Sequence, residues 1–475
     1  MNSTMGEPMP GYATTDPTTC TRILEFRLHS DGEVDSRVRK AQAAYRRSTE
    51  SDVTERAASL IRTARLYRKN AERLAALSVL EIGKPVSQAM AEVELAASIY
   101  EYYGTAGPAM LADEPVTAEE GRAIIRTAPI GVVLGVMPWN LPYYQAARFV
   151  APNLLLGNSV LLKHAECCPQ QALEIAILLR DAGLPSGRFT NLFLSHRQVA
   201  DLVADPLVRG VSLTGSERAG VAIGELAGKH VKKAVLELGG SDPFIVLPSA
   251  DLTLAVDVGT AGRFGNAGQT CTSAKRIIVH EDIWDEFLLS FVDKAASWTT
   301  GDPADPRTRL GPMASRSARN ALEDQVGDAI GKGATVHLGG VVPDGPGSFY
   351  PATVMSDVTA GMRAYREELF GPVAVLYRAR STEHAIEIAN DTPYGLGGAV
   401  FTTDEHEAAF VADKLDVGMV GINKMIKSAP ALPFGGVKNS GIGRELGRFG
   451  VDEFSNKKLI HNASHATDRI GSAHT

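Results

Sequence analysis

Cys271 closes the run Phe264-Gly265-Asn266-Ala267-Gly268-Gln269-Thr270-Cys271, whose small residues let backbone approach a reacting group closely. A cysteine so placed can act as a nucleophile, with amide N–H groups free to face an oxyanion. The alternative is a buried core cysteine, since free cysteines are among the most buried residues. Glu237 stands in Val235-Leu236-Glu237-Leu238-Gly239-Gly240, at the end of a strand-like apolar run. Open α/β sheets bind ligands outside the carboxyl ends of their strands. A carboxylate desolvated there by Leu236 and Leu238 has a raised pKa and can work as a general base near neutrality. Its plain alternative is an ion pair with Lys232 or Lys233.

Three further places offer supporting chemistry. Asn140 lies in Met137-Pro138-Trp139-Asn140-Leu141-Pro142. The prolines stiffen this turn, and a rigid side-chain amide is what an oxyanion donor requires; an ordinary loop with a solvated Asn is the other reading. Leu213-Thr214-Gly215-Ser216 passes from a strand into a helix and offers small residues at a helix N-terminus, a seat for pyrophosphate. It lacks the GxGxxG fingerprint. Lys163 and Glu166 follow another strand-like run and can hold the ribose hydroxyls of an adenosine, or form a surface ion pair. Cys167 and Cys168 read as structural.

The elements that must position these residues follow from the apolar pattern. Residues 33–103 read as helical, with Gly83-Lys84-Pro85 separating two helices. From 122 onward short apolar runs alternate with amphipathic stretches: strands at 130–136, 159–162, 189–194, 208–213 and 234–238, helices at 172–179 and 219–227. That alternation implies a parallel sheet covered by helices on both faces. A second alternation, from 244–247 through 399–402, implies another α/β domain. Gly435-Gly436 and Gly441-Ile442-Gly443 read as tight turns near the domain junction. The end of the polar stretch 459–475 reads as mobile. No internal repeat is visible.

Composition narrows the class. The 475 residues carry 48 Lys+Arg against 55 Asp+Glu, a net charge of −7, which argues against a nucleic-acid partner. Residues 1–10 lack the basic start and apolar core of a signal peptide. The uncharged stretch 127–147 contains Pro129, Pro138 and Pro142, which argues against a membrane span. The four cysteines, Cys20, Cys167, Cys168 and Cys271, form neither a disulfide framework nor a zinc pattern, and no metal site is expected. The expected setting is a reducing cytoplasm. Gly accounts for 46 residues, clustered between apolar runs as at ligand-binding turns.

Together these residues resemble the aldehyde dehydrogenase superfamily over nearly the whole chain. The resemblance rests on Pro138-Trp139-Asn140, Leu236-Glu237-Leu238-Gly239-Gly240, Gly268-Gln269-Thr270-Cys271, Glu367-Glu368-Leu369-Phe370-Gly371-Pro372 and Pro433-Phe434-Gly435-Gly436-Val437-Lys438, in the family's order and separation. Lys163-His164-Ala165 and the run from Leu238 through Val246 are similar to the bacterial succinate-semialdehyde dehydrogenase branch. The resemblance implies an α/β fold with three parts. A Rossmann-type dinucleotide-binding domain spans 1–110 and 130–237, and an α/β catalytic domain spans 238–445. A small β oligomerisation arm with a C-terminal tail takes 111–129 and 446–475. A homodimer or homotetramer is the expected assembly.

By the same resemblance, Cys271 attacks the aldehyde to give a thiohemiacetal. Asn140 and the Cys271 N–H hold its oxyanion, hydride passes to the nicotinamide, and Glu237 activates water against the thioester left behind. Lys163 and Glu166 bind the adenosine ribose, Gly215 and Ser216 the pyrophosphate, and Trp139 and Leu238 border the cofactor. Glu368 takes the nicotinamide ribose, with Phe370 packed nearby. A carboxylate at Glu166 repels a 2′-phosphate, so NAD is the expected cofactor and NADP the alternative. Arg148 is expected to grip the distal carboxylate of succinate semialdehyde, with a helix-face arginine as the plain alternative. Gly265 stands where some members have a second arginine, and Tyr143 and Tyr144 can line a tunnel for bulkier aldehydes. Broader aliphatic or aromatic specificity is the alternative, and a non-catalytic binding protein of the same fold a remoter one. Glu237 as a water-activating base argues against acyl transfer to coenzyme A.

Overall fold

The structure, a computed structural model, describes residues 11–48 and 52–462. The first ten residues and the tail from 463, for which a leader was discounted and mobility expected, lie outside the described residues. Three sheets organise the chain. A six-stranded sheet runs in the order Gly441–Ile442, Lys233–Glu237, Val208–Thr214, Val132–Val136, Ser159–Lys163, Phe189–Asn191. Every pairing in it is parallel except that of Gly441–Ile442 with Lys233–Glu237. The chain moves outward from Val132–Val136 to one side, then returns to Val208–Thr214 on the other. The loops leaving those two strands therefore diverge and open a crevice at the switch point.

The second sheet has seven strands, in the order Thr335–Leu338, Thr353–Ser356, Val373–Ala379, Ala274–His280, Asp242–Val246, Gly397–Phe401, Met419–Ile422. Its core strand Asp242–Val246 is buried at every residue, as expected of parallel strands covered on both faces. Each large sheet carries its own hydrophobic core. A third, antiparallel sheet pairs Arg122–Pro129 with Glu114–Val116 on one side and Ser455–Asn462 on the other.

The strands expected from the pattern are present with shifts of a few residues at their ends. Elements not foreseen include the hairpin of Tyr12–Asp16 with Thr21–Phe26, the helix His196–Ala204 and the helix Pro142–Leu156. Pro142, read as a break, begins that helix, where its missing N–H costs nothing. Glu92 caps the same end, accepting from the Tyr143 and Tyr144 N–H groups at 2.9 and 3.2 Å, and is itself ion-paired with buried Lys84. All 15 residues of the helix are buried and it stops at Gly157, in the left-handed region with φ +112.

Gly441–Ile442 departs from the expected division. The segment falls within 238–445 but is hydrogen-bonded into the dinucleotide sheet, opposite Glu237 and Leu236. Gly441 has φ +128, and a Cβ there would lie 1.8 Å from the Leu236 carbonyl oxygen. Gly441→Ala is therefore expected to destabilise the protein by about 2 kcal/mol or more, read as a lower urea midpoint. An unchanged midpoint would mean that this pairing is not rigid.

Candidate active site

The four-residue crossing from Glu237 to Asp242 sets the carboxyl ends of the first sheet against the amino ends of the second. An open cavity of about 260 Å³ lies at that junction, lined by Pro138, Trp139, Asn140, Gln145, Thr214, Gly215, Ser216, Leu238, Gly239, Cys271, Glu368 and Phe370. Its walls come from the two diverging loops at the switch point and from the loops that precede the strands Ala274–His280 and Val373–Ala379.

The loop carrying Cys271 is tightly specified. Asn266 and Ala267 both adopt left-handed backbone, at φ 53, and Gly268 follows at φ +69. A Cβ on Gly268 would fall 2.2 Å from the Gly371 carbonyl oxygen, so the loop passes directly against the segment carrying Glu368 and Phe370. Buried Arg263 ties the two together by donating to the carbonyls of Gly268, Leu369, Gly371 and Val373. Burial pushes the Cys271 thiol up to about 12, with Lys275 and Arg148 opposing that shift and Glu368 and Asp242 adding to it.

Asn140 is buried, and its amide is held at both ends. Nδ2 donates to the Gln269 carbonyl at 3.0 Å, and Oδ1 accepts from Gln145 Nε2 at 3.0 Å. An amide nitrogen has two N–H donors, so one remains for the cavity it lines. Glu237 is placed differently. It does not line that cavity; its side chain is buried and turned toward Gly435, where a Cβ would sit 2.6 Å from Oε1. Among the described residues, neither carboxylate oxygen has a hydrogen-bond partner. Burial holds its pKa well above the usual carboxylate range, with Arg148 opposing and Glu445 reinforcing the shift. Lys232 and Lys233 bond to backbone carbonyls instead of to Glu237.

Around the cavity, Ser216 caps the helix Glu217–Lys229, so free amides at its first turn face the space beside Gly215. Trp139 and Phe370 meet edge to face with ring centroids 5.7 Å apart. Glu368 accepts from Gly240 N–H at 3.1 Å and pairs with Lys275 at 3.0 Å. These groups suit a nicotinamide dinucleotide: small residues and helix amides for its phosphates, an acid for a ribose, and no room for a Cβ on Gly239, which would lie 2.4 Å from Glu368 Oε2.

Arg148 has protein partners, and the expectation at Glu166 needs correction. Arg148 is fully buried. Its guanidinium is ion-paired with Glu445, donates to Tyr144 Oη and Thr214 Oγ1 at 3.1 Å each, and lies over the Phe434 ring. Burial works against its charge, but Glu445, Tyr144, Glu237 and Cys271 together outweigh that and keep it protonated. Glu166, the basis for expecting NAD, is not a bare carboxylate. It is ion-paired with Lys163, and His196 lies 3.9 Å away. Burial works to raise its pKa, and Lys163 more than offsets this.

The chain belongs to the aldehyde dehydrogenase family, whose model matches residues 5–460. It is an NAD(P)-dependent oxidoreductase acting on aldehydes. It is 51% identical over 453 residues to a succinate-semialdehyde dehydrogenase [NADP(+)] of Deinococcus radiodurans, with 95% of each chain covered. It is 46% identical to succinate-semialdehyde dehydrogenase [NADP(+)] 1 of Mycobacterium ulcerans, over 94% of this chain and 99% of that one. Among solved structures, succinic semialdehyde dehydrogenase from Streptococcus pyogenes in complex with NADP+ superimposes with a TM-score of 0.93 at 40% identity, covering 95% of this chain and 99% of that one. These relatives overturn the expected preference for NAD. The physical reason lies in the pairing at Glu166: with Lys163 on its carboxylate and His196 beside it, the acid is neutralised rather than aimed at a 2′-phosphate.

The sequence reading missed Lys275, Glu445 and Ser428. Lys275 was visible as one of two adjacent cations, with Arg276, entering a strand whose seven residues include six buried ones. Glu445 had no local signal, because its partners Arg148 and Ser212 come from distant parts of the chain. Ser428 Oγ lies 2.5 Å from Tyr144 Oη. Among the described residues no helix is long and apolar enough to cross a membrane. Arg148→Ala, which strands buried Glu445, is expected to cost about 3–5 kcal/mol of stability, measured by urea unfolding. Unchanged stability would instead fit a guanidinium held for substrate.

Proposed function

We propose that the chain oxidises succinate semialdehyde to succinate with NADP+ as the hydride acceptor. The observation that carries this is the shared cavity of Cys271, Asn140, Glu368, Phe370 and the Gly215-Ser216 turn, on a chain closely similar to enzymes named for that reaction. Cys271 is the nucleophile, and its attack on the aldehyde carbon forms a C–S bond and an oxyanion. The remaining Asn140 N–H and the Cys271 backbone N–H stabilise that oxyanion. Glu237 is the base for the second half: its buried, unpaired carboxylate, once deprotonated, takes a proton from the water that attacks the thioester.

Trp139, Leu238, Gly215 and Ser216 hold the cofactor, with Glu368 on a ribose and Phe370 against the ring. Lys163 is the cation that meets a 2′-phosphate, with the His196 ring nearby. The bound cofactor supplies the hydride-accepting carbon. Arg148 acts on the substrate carboxylate only through Tyr144, whose hydroxyl it polarises and which pairs with Ser428. The domain division 1–110 with 130–237, 238–445, and 111–129 with 446–475 is kept as the functional one, with Gly441–Ile442 lent to the first part. The exposed Val116 and Leu459 on the three-stranded sheet support its role as an arm that pairs with a second copy, giving a homodimer or homotetramer. Four free cysteines support a reducing, cytoplasmic setting.

An NADPH absorbance assay tests this reading. Succinate semialdehyde with NADP+ is expected to outperform NAD+ in kcat/KM, Cys271→Ser to abolish turnover, and Asn140→Ala to lower kcat by about 10²–10³. Full turnover by Cys271→Ser would end the proposal. Because the Glu237 pKa is raised, the proton it must lose comes off only at higher pH. Steady-state turnover is therefore expected to rise with pH in the wild type, and Glu237→Gln to give one burst of NADPH followed by a slow phase without that rise. A Glu237→Gln profile that keeps both the rate and the pH dependence would assign the base elsewhere.

A further inference from the structure

We propose that Lys275 is a positioning residue for the reaction, a buried cation that joins the nucleophile's loop to Glu368 and sets the charge facing the Cys271 sulfur. The proposal rests on the reading of Cys271 as nucleophile and Glu368 as a cofactor ligand. Lys275 sits near the start of the strand Ala274–His280, with its side chain almost fully buried. Its Nζ donates to the Thr270 carbonyl at 2.9 Å and the Cys271 carbonyl at 2.7 Å. Glu368 Oε1 is 3.0 Å from the same nitrogen. An ammonium has three donors, and here each has an acceptor: two on the nucleophile's own backbone and one on the acid assigned to the ribose. The Phe370 ring lies on another side, 6.0 Å from Nζ.

The arrangement has an electrostatic consequence. Five charged or titratable side chains act on the Cys271 sulfur from the packed elements. Lys275 and Arg148 favour the thiolate, whereas Glu368 and Asp242 oppose it. The Tyr144 hydroxyl faces it as well. Lys275 heads the favourable pair, and Arg148 is already committed to Glu445. Glu368 therefore has two effects on the nucleophile, its own repulsion and its claim on the ammonium. Any ligand that draws Glu368 toward itself leaves more of the Lys275 charge for the thiolate.

The readout is the rate of Cys271 alkylation by iodoacetamide, followed by peptide mass spectrometry on the full chain without cofactor at one mildly alkaline pH. Lys275→Gln keeps a hydrogen-bond donor but loses the charge, and is expected to slow alkylation about three- to tenfold. Glu368→Gln is expected to speed it by a similar factor, and Lys275→Arg to recover most of the wild-type rate. Opposite signs for the two neutral variants are the signature, because loosened packing would move both the same way. Unchanged rates, or changes in the same direction, overturn the proposal. Should Lys275→Gln fail to fold, Glu368→Gln decides alone, and a rate that does not rise overturns it. Failure of the nucleophile reading is separate: it appears as turnover retained by Cys271→Ser, whatever the alkylation rates.

Discussion

Between Glu237, the last residue of a strand in one sheet, and Asp242, the first of a strand in the other, the chain has only Leu238, Gly239, Gly240 and Ser241. A crossing that short forces the carboxyl edge of one sheet against the amino edge of the next. The loops on those two edges then have no choice but to meet. The contact leaves no spare volume, since a Cβ on Gly240 would lie 2.6 Å from the Cys271 carbonyl and one on Gly239 2.4 Å from Glu368. The two glycines are thus the points where the crossing, the Cys271 loop and Glu368 touch. Asn140 and the Gly215-Ser216 turn reach the same place from the switch point of the first sheet.

Charge buried behind this junction governs the chemistry proposed for it. Glu237, Arg148 and Glu445 form a compact group out of solvent, and only Arg148 and Glu445 are paired directly. An unpaired buried carboxyl resists ionisation, which suits a base that must take a proton and later release it. The sulfur of Cys271 is subject to the same penalty and depends on nearby cations for relief. Desolvation, which strengthens every interaction in the cavity, is also what holds both reactive groups in their neutral forms.

The α/β alternation was legible because buried parallel strands are short apolar runs that helices separate. The helix Pro142–Leu156 was not, because it is buried all round and so has no polar face to set a period. Cys271 and Asn140 were singled out from local context, since each lies in a short run of glycines, prolines or small residues; Glu368 came only from the resemblance, and the structure brings all three to one cavity. The expectation at Glu166 was misjudged, and the partners of Arg148 were not legible, for one shared reason. The meaning of a charge depends on its partner, and spacing along the chain cannot say whether that partner is Glu445, brought from near the C-terminal end, or a substrate. At Glu166 the partner was close at hand in Lys163, but the net effect of the pair on a phosphate depends also on His196, brought in by a separate helix.

The central claim is that Cys271 carries the acyl group that Glu237 helps to release. Mass spectrometry of Glu237→Gln, quenched after mixing with succinate semialdehyde and NADP+, tests it most directly. The account predicts a succinyl group on the peptide containing Cys271, accumulating in step with NADPH. An acyl group on another residue, or NADPH formed with no acyl-enzyme at all, would contradict it.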